Sequence, residues 1–299
     1  MRTAFIKQLT KEAETNDKLF LIIGDLGFSV VEEFEQKFPD RFLNAGIAEQ
    51  NMVGIAAGLA MQGYNVYIYS IANFPTLRCM EQIRYDVAYH HLNVKIVSVG
   101  AGYAYGPLGA SHHATEDLGM MRTIPDMVVC SPGDPAEAEA VTAFSASYDG
   151  PMYLRLGKAG EKRVHQQPLG RILPGNLIPV SEQGHQTAVI ACGSILDAAK
   201  TQIADCHLPY DLWSIPFVKP INKEQVKMLC SQYPDGLIVM EEHQKSCGAG
   251  SALTEVVSDL YEEGSLAVFP KIRRLAINDE FVTIVGSQSF LREKAGLLL

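Results

Sequence analysis

The stretch Asn44-Ala45-Gly46-Ile47-Ala48-Glu49-Gln50-Asn51-Met52 is the most informative part of the chain. A short apolar strand turns here, without a polar cap, into a helix of small residues, which is a strand-to-helix step typical of α/β folds. Glu49 stands at the junction among neighbours whose composition predicts burial. An unpaired buried carboxylate costs several kcal/mol, so the stretch predicts a bound partner for Glu49. Alternatively, Glu49 is an N-terminal helix carboxylate stabilised by the macrodipole, and the local residues do not decide between the two.

Apolar runs alternate with helical patterns on both sides of this stretch. In the first half the predicted strands are Leu19–Gly24, Phe42–Ala45, Val66–Ile71, Val94–Gly100, Met127–Cys130 and Tyr153–Leu156, and the predicted helices are Val30–Phe38, Glu49–Gln62, Leu77–His90 and Ala136–Tyr148. Such alternation predicts a mostly parallel sheet that is covered by helices on both faces.

A second alternation follows a segment rich in proline and glycine, residues 163–182, which we interpret as a linker. The predicted strands beyond it are Thr187–Ala191, Tyr210–Ile215, Leu237–Met240 and Arg273–Ile277, and the predicted helices are Ile195–Ala204, Lys223–Gln232, Ala249–Glu262 and Ser289–Lys294. The expected fold is therefore α/β with two domains, 1–162 and 183–299, each a mostly parallel sheet flanked by helices.

Composition and charge exclude several classes of protein. The chain has 299 residues, of which 47% are apolar, and its net charge is −9. Such an acidic chain without a Lys/Arg block is not expected to bind nucleic acid or an anionic membrane surface. No apolar run is long enough to span a bilayer, and the first residues lack a secretory apolar region, so we expect a cytoplasmic protein. The six cysteines are scattered, which predicts free thiols and no metal site.

The stretch from Asn44 to Gly58 resembles the signature of transketolase-like, thiamin-diphosphate-dependent enzymes, and the resemblance extends over nearly the whole chain. It implies a pyrimidine-binding domain followed by a transketolase C-terminal domain. The second match rests on weak motifs in a specific order, which are Ala191-Cys192-Gly193-Ser194, Glu241-Glu242-His243 with the following glycines, and Asp279-Glu280-Phe281-Val282. We interpret Glu241-Glu242-His243 as structural.

The resemblance also implies that part of the enzyme lies on another chain. Full-length transketolases bind the cofactor's diphosphate through Mg²⁺ in an N-terminal domain with a Gly-Asp-Gly motif, and the nearest string here is Gly24-Asp25-Leu26-Gly27. A divalent cation needs hard oxygen ligands on a fixed loop. We therefore expect a split enzyme whose partner, an N-terminal-half subunit, holds Mg²⁺ and the diphosphate, with a homodimer core inside a heterotetramer.

The resemblance assigns cofactor roles by position. Glu49 matches the glutamate that hydrogen-bonds the cofactor's aminopyrimidine and favours its imino tautomer. Phe74 follows a strand at the sheet edge where α/β folds bind ligands, and matches an aromatic that packs on that ring, although one alignment moves this site to Pro75. Arg78 and Gln82, one turn apart, reach the same pocket or lie on a solvated helix face. Asp25 matches an aspartate near the thiazolium, or is a turn residue.

Substrate roles fall on a glycine-rich loop and on two basic residues. His112 matches the family's substrate-facing histidine, and an imidazole suits proton transfer near neutral pH, whereas adjacent His113 replaces what is commonly a glutamine. Arg2 and Lys158 fall where the family places phosphate-binding arginines, and a solvated surface explains them equally well.

Two further positions depart from the sugar-processing members of the family. Leu108 replaces an aspartate that contacts a substrate hydroxyl, and Gly100 replaces a phosphate-binding histidine. Losing such polar contacts removes about 1–3 kcal/mol of discrimination each, so the acceptor is not expected to be handled as in ordinary transketolase.

Three functions follow from these residues. The leading hypothesis is a transketolase-like subunit that transfers a ketol or acyl unit to a small molecule. The second keeps the cofactor in a beta-type subunit of a 2-oxo-acid decarboxylase or dehydrogenase. The third is a non-catalytic subunit that stabilises a partner, which leaves the expensive Glu49 carboxylate unexplained.

Overall fold

The structure is a computed structural model that describes residues 1–71 and 73–299. Its strands are β1 Leu19–Ile23, β2 Phe42–Asn44, β3 Asn65–Ile71, β4 Val94–Val99, β5 Val128–Cys130, β6 Met152–Leu156, β7 Ile178–Ser181, β8 Thr187–Cys192, β9 Asp211–Ser214, β10 Phe217–Lys219, β11 Gly236–Gln244 and β12 Ile272–Ile277. Its α-helices are α1 Arg2–Ala13, α2 Glu32–Lys37, α3 Glu49–Met61, α4 Asn73–Leu77, α5 Met80–Gln82, α6 Asp117–Arg122, α7 Pro135–Ser147, α8 Leu196–Asp205, α9 Lys223–Gln232, α10 Ala249–Glu262 and α11 Gln288–Lys294.

The first sheet has the strand order β10-β5-β6-β4-β3-β1-β2. Strands β1 to β6 pair in parallel, whereas β10 is antiparallel to its neighbour β5. The central strands β3 and β4 are buried almost throughout because helices cover both faces. Since the strands are parallel, their carboxyl ends lie at one edge, where the segments carrying Asp25, Glu49, Phe74, His112 and Lys158 all begin.

The second sheet has the order β12-β11-β8-β9-β7, with β7 antiparallel at the edge. One apolar cluster contains buried residues of α3, β3 and β4 together with buried residues of β8, β11 and α10. The two halves of the chain therefore share a core. The predicted α/β class, with two mostly parallel sheets flanked by helices, is confirmed.

Several predicted elements differ from the observed ones. The predicted helix Leu77–His90 is interrupted: its first residue ends α4, a turn follows at residues 78–79, and the chain continues as α5 and a π-helical turn at Ile83–Ala88. The predicted helix Val30–Phe38 ends one residue early, because Phe38 precedes a proline and is pushed out of the helical region. Helices α1 and α6 were not predicted.

The predicted linker and boundary also look different in the folded chain. Strand β7 lies within residues 163–182 and pairs with β9, so the end of that segment is part of the second sheet. Strand β10 comes from beyond the segment and yet pairs with β5 in the first sheet. None of the described helices has the length and apolar character needed to cross a membrane.

Candidate active site

Glu49 is the first residue of α3, at the carboxyl edge of the first sheet. No side chain caps this helix, and its N-terminus favours a negative charge. Only 5% of the Glu49 side chain is exposed, and its carboxylate lies at an open depression lined by residues 47–51 and Arg78. Arg78 Nη1 donates to Glu49 Oε2 at 3.0 Å. Among the described residues, Arg78 is therefore the charged partner of this carboxylate.

Phe74 and His112 continue this contact. The guanidinium carbon of Arg78 lies 4.1 Å from the centroid of the Phe74 ring, which is cation–π distance. The ring of His112 meets Phe74 edge to face, with centroids 5.4 Å apart. The fold therefore brings Glu49, Arg78, Phe74 and His112 together from three different strand ends.

His112 lies on the long loop that follows β4, where it is partly buried. Its Nδ1 is 2.9 Å from the Ser111 hydroxyl. Burial holds the pKa of His112 below its ordinary value of about 6.5, and the positive charges of His113 and Arg78 act in the same direction. The His112 imidazole is therefore neutral at neutral pH and can accept a proton.

His113 points into the protein. It is buried, its Nε2 is 3.2 Å from the Gly106 carbonyl oxygen, and its ring meets Tyr103 edge to face at 5.2 Å. The Asn73 amide, at the start of α4, donates to the carbonyl of His113 at 2.6 Å. These contacts fix the loop and leave His112 as the histidine of this pair that contacts Phe74.

Arg2 and Lys158 lie beside the same loop. The backbone N–H of Arg2 donates to the Lys158 carbonyl at 3.3 Å, and Lys158 Nζ lies 5.8 Å from the Tyr105 ring centroid. Burial raises the pKa of the Tyr105 hydroxyl, and the charge and hydrogen bond of Arg2 oppose that rise. Arg2 Nε is buried and donates to none of the described residues. The ring centroids of Tyr105 and His112 are 6.3 Å apart, so Arg2 and Lys158 both contact a neighbour of the histidine.

Asp25 follows β1 in a left-handed backbone conformation, with φ of 54°. Its N–H donates to Asn44 Oδ1 at 3.0 Å, and Asn44 Nδ2 donates back to Asp25 Oδ1 at 3.1 Å. This pair fixes the exposed Asp25 carboxylate at the end of β2, near the start of α3. It shows no hydrogen bond to Glu49 among the described contacts.

Gln82 is the last residue of α5, and its side-chain oxygen is buried without a hydrogen bond from any described residue. The predicted helical spacing between Arg78 and Gln82 does not hold, because the turn at residues 78–79 interrupts the helix. In the described part of the chain, Gln82 makes no hydrogen bond to Glu49 or Phe74.

Sequence reasoning missed a buried network beneath the His112 loop. Arg155, on β6, donates from Nε to Asp117 Oδ2 at 2.7 Å and from Nη2 to the carbonyls of Ala114 at 2.6 Å and Glu242 at 2.9 Å. The Tyr153 hydroxyl donates to Asp117 Oδ2 at 2.6 Å. Arg155 thus ties the His112 loop, α6 and the second sheet together. An arginine inside an apolar strand was the available sequence signal, since such a charge must be paired.

Glu241, Glu242 and His243 lie at the end of β11, and their contacts are structural, as predicted. The Glu242 carboxylate accepts from the N–H of Tyr103 at 3.2 Å and from Arg292 Nη2 at 2.5 Å. His243 Nε2 accepts from the N–H of Gly119 at 3.2 Å. These residues hold the second half of the chain against the His112 loop and α6.

A cluster of possible metal ligands, Asp134, Glu137 and His165, lies apart from these residues. Asp134 caps α7 and accepts from the N–H groups of Glu137, Val164 and His165. Glu137 accepts from the N–H of Gly133, and its Oε1 is 2.9 Å from His165 Nε2. Because these oxygens are already hydrogen-bonded, the cluster is a structural anchor for the segment after β6.

Sequence comparison identifies the family. Residues 1–160 match the profile "Transketolase, pyrimidine binding domain", and residues 177–289 match "Transketolase, C-terminal domain". The chain belongs to the transketolase family.

Transketolase relatives of similar length confirm this relation. A "Putative transketolase C-terminal section" of Methanocaldococcus jannaschii is 33% identical over 94% of this chain and 87% of its own length. One of the subunits of an apulose-4-phosphate transketolase from Actinobacillus succinogenes is 31% identical over 89% of this chain and 84% of its own length. A 6-deoxy-6-sulfo-D-fructose transketolase subunit of Clostridium sp. is 30% identical over 99% of this chain and 90% of its own length.

A solved structure agrees with the fold. "Split gene transketolase, inactive beta4 tetramer" superposes with a TM-score of 0.84 at 33% identity, covering 99% of this chain and 93% of that one. The match spans both sheets, so the transketolase arrangement of the two halves extends over the whole chain.

Gly100 and Leu108 are the two positions expected from the sequence to depart from the sugar-processing members of the family. Gly100 has φ of 105°, and a β-carbon there would overlap the Tyr105 ring. The tyrosine therefore takes the space that a histidine at position 100 needs. Leu108 is exposed on the surface of the His112 loop. Tyr105 is a site residue that sequence reasoning missed, although an aromatic in a glycine-rich loop was a usable signal.

Proposed function

We propose that this chain is the C-terminal-half subunit of a two-component, thiamin-diphosphate-dependent transketolase that transfers a ketol unit. The observation that carries the proposal is the convergence of Glu49, Phe74 and His112 at the sheet edge, with the buried carboxylate next to an aromatic face. The split-subunit relatives, which cover the same length of chain, support the two-component form.

The residues present fit the pyrimidine half of the cofactor. Glu49 is an almost fully buried carboxylate whose described partner is a flat, positively charged guanidinium that also packs on Phe74. A site that accepts a flat cation with N–H donors has the shape and charge for a protonated aminopyrimidine. When bound, thiamin diphosphate supplies a thiazolium carbon that stabilises the carbanion of the transferred unit. Glu49 would hold and exchange a proton at the pyrimidine ring nitrogen, and Phe74 would orient the ring.

His112 is the proposed group for substrate protons. Its lowered pKa keeps the imidazole neutral near pH 7, so that it can take a proton from a substrate hydroxyl and return it. Its packing on Phe74 places it next to the proposed ring site. His113 is buried in the loop, and we assign it the positioning of His112 instead of direct substrate contact.

Arg2 and Lys158 are proposed to hold an anionic end of the substrate. Arg2, whose Nε has no described acceptor, and the ammonium of Lys158 both lie near Tyr105, and the ring centroid of Tyr105 is 6.3 Å from that of His112. Lysine acts as a point charge, which tolerates more than one anion geometry. Asp25 and Gln82 complete the proposed set, Asp25 toward the thiazolium and Gln82 through its unpartnered buried oxygen.

The other component of the enzyme is proposed to bind Mg²⁺ and the diphosphate, with two copies of each subunit in the complex. The solved relative, an inactive β4 tetramer of a split-gene transketolase, supports a chain that is inactive by itself and associates with its own copies. All six cysteines are free, which supports a reducing compartment, and we place the complex in the cytoplasm.

The transketolase relatives favour ketol transfer over a 2-oxo-acid dehydrogenase component. A purely stabilising subunit is the remaining alternative, and it gives the buried Glu49 and its aromatic neighbour no purpose.

Titration of thiamin diphosphate and Mg²⁺ into the chain, alone and mixed with an N-terminal-half subunit, tests the proposal. Calorimetry should detect tight binding only in the mixture, together with ketol transfer between sugar phosphates. Glu49→Gln should lower the turnover of the mixture by at least about 100-fold, because it removes a proton-transfer group. Glu81→Gln, which changes an exposed carboxylate nearby, is the matched control.

Equal turnover of the Glu49→Gln mixture and the wild-type mixture would contradict the catalytic role and favour the stabilising subunit. Tight binding of cofactor to the chain alone would contradict the division of the site between two subunits.

A further inference from the structure

We propose that Arg78 is a latch: its guanidinium fills the place between Glu49 and Phe74 that a flat cationic ring takes, and must leave before such a ring binds. The inference rests on the proposed function, since it concerns the same pocket. It gives Arg78 the opposite effect to the cofactor contact expected from the sequence.

Two contacts of one side chain carry this inference. Arg78 Nη1 donates to Glu49 Oε2 at 3.0 Å, while the same guanidinium lies 4.1 Å from the Phe74 ring centroid. A protonated aminopyrimidine has the same properties, namely a flat face, a positive charge and N–H donors in the plane. The ring and the guanidinium therefore compete for the carboxylate oxygen and for the aromatic surface.

The Arg78 guanidinium provides the countercharge of a buried carboxylate. The Glu49 side chain is only 5% exposed, and a carboxylate so placed needs a countercharge in the absence of any ligand. Arg78 supplies it from within the chain. The helix N-terminus alone supplies only a partial charge, which favours the carboxylate less than a direct ion pair does.

Arg78 is also free to leave. Its side chain is 48% exposed, and it lies in the turn between α4 and α5, outside both helices. Among the described residues, Glu49 is the one hydrogen-bond acceptor of its guanidinium. Rotation of Arg78 into solvent breaks one half-exposed ion pair and one ring contact, and the arriving cation then supplies the countercharge that Glu49 needs.

The strength of the latch follows from population arithmetic. If the guanidinium fills the pocket in most molecules, the apparent affinity for a competing ring equals the intrinsic affinity multiplied by the fraction of molecules in which the pocket is open. Because the arriving cation replaces the countercharge, the remaining difference is that of a half-exposed ion pair and a cation–π contact, about a tenfold effect. Removing the Arg78 side chain should therefore raise the apparent affinity for the ring about tenfold.

The experiment measures binding of 4-amino-2-methylpyrimidine, the ring without thiazolium or diphosphate, to the full-length chain by NMR titration. Arg78→Ala should bind the ring about tenfold more tightly than wild type. Arg84→Ala, an exposed arginine a few residues further on, should bind like wild type and is the matched control. Guanidinium chloride at low millimolar concentration should compete with the ring in Arg78→Ala, relative to sodium chloride at equal concentration.

The outcomes separate the latch from the function on which it rests. If Glu49→Gln abolishes ring binding while Arg78→Ala binds equally or more weakly than wild type, the latch is refuted and the pocket assignment stands. If no variant binds the ring, or Glu49→Gln binds it as wild type does, both the latch and the proposed pocket are wrong. Tighter binding by Arg78→Ala that depends on Glu49 supports both.

Discussion

Replacing Arg155 by methionine should destabilise the chain by about 3–5 kcal/mol, the usual cost of leaving one member of a buried ion pair without its partner. Arg155 and Asp117 each have 1% of their side chains exposed, so water cannot replace the lost guanidinium. The carbonyls of Ala114 and Glu242 lose a donor in the same change. The loss is a large share of the roughly 5–15 kcal/mol that typically stabilises a domain.

Smaller changes in the same network should give graded effects. Tyr153→Phe removes one hydrogen bond to the Asp117 carboxylate and should cost about 1.5–3 kcal/mol. The double variant Arg155→Met with Asp117→Leu removes both charges and should recover much of the single variant's loss. Arg273→Met, at an exposed position on β12, should leave stability within about 0.5 kcal/mol of wild type and is the matched control.

Urea unfolding followed by far-ultraviolet circular dichroism gives the free energies, and the fluorescence of Trp213 reports the second sheet separately. Since Arg155 links the two halves of the chain, the two signals of the Arg155→Met variant should shift together. A loss below about 1 kcal/mol for Arg155→Met would refute the reasoning, because that value is ordinary for mutations without a buried charge.

Three further predictions concern the His112 loop and its neighbours. The NMR titration midpoint of His112 should lie below about 6.5. Because the unfolded chain then binds the proton more readily than the folded chain, the contribution of neutral His112 to stability is lost as the pH falls. A midpoint above this value would contradict the assignment. Lys158→Ala in the complete enzyme should raise KM for a phosphorylated substrate about tenfold with little change in kcat, whereas Lys162→Ala should change neither, and an effect on kcat alone would count against the anion role. Gly100→Ala should lower the free energy of unfolding by about 1–3 kcal/mol, because it places a side chain at positive φ against the Tyr105 ring, and unchanged urea curves would disprove that contact.

The period of the apolar residues was enough to predict two parallel α/β layers and most of their strands. It failed where tertiary contacts override local propensity. One continuous helix was predicted over Leu77–His90. The chain instead turns at residues 78–79, and the Arg78 side chain in this turn contacts Glu49. Strand β10 was not predicted, because a strand of three residues is too short to show a periodic pattern and its pairing with the distant strand β5 leaves no local signal.

The candidate site divides in the same way. Glu49 could be singled out because a charge inside an apolar junction is anomalous in any register. Tyr105 and Arg155 were not selected, because their importance lies in what they touch, namely Gly100 for the tyrosine and the carbonyls of two distant segments for the arginine.

By itself, the sequence determined the fold class, the position of the buried carboxylate and the need for a countercharge, because strand and helix periodicity and the cost of burying a charge are local properties. Only the tertiary structure decided which group meets that need. Arg78 comes from a different strand end, 29 residues further along the chain, and its proximity to Glu49 depends on parallel strands delivering separate loops to one edge. Long-range proximity of this kind follows from strand order, which no local pattern in the sequence specifies.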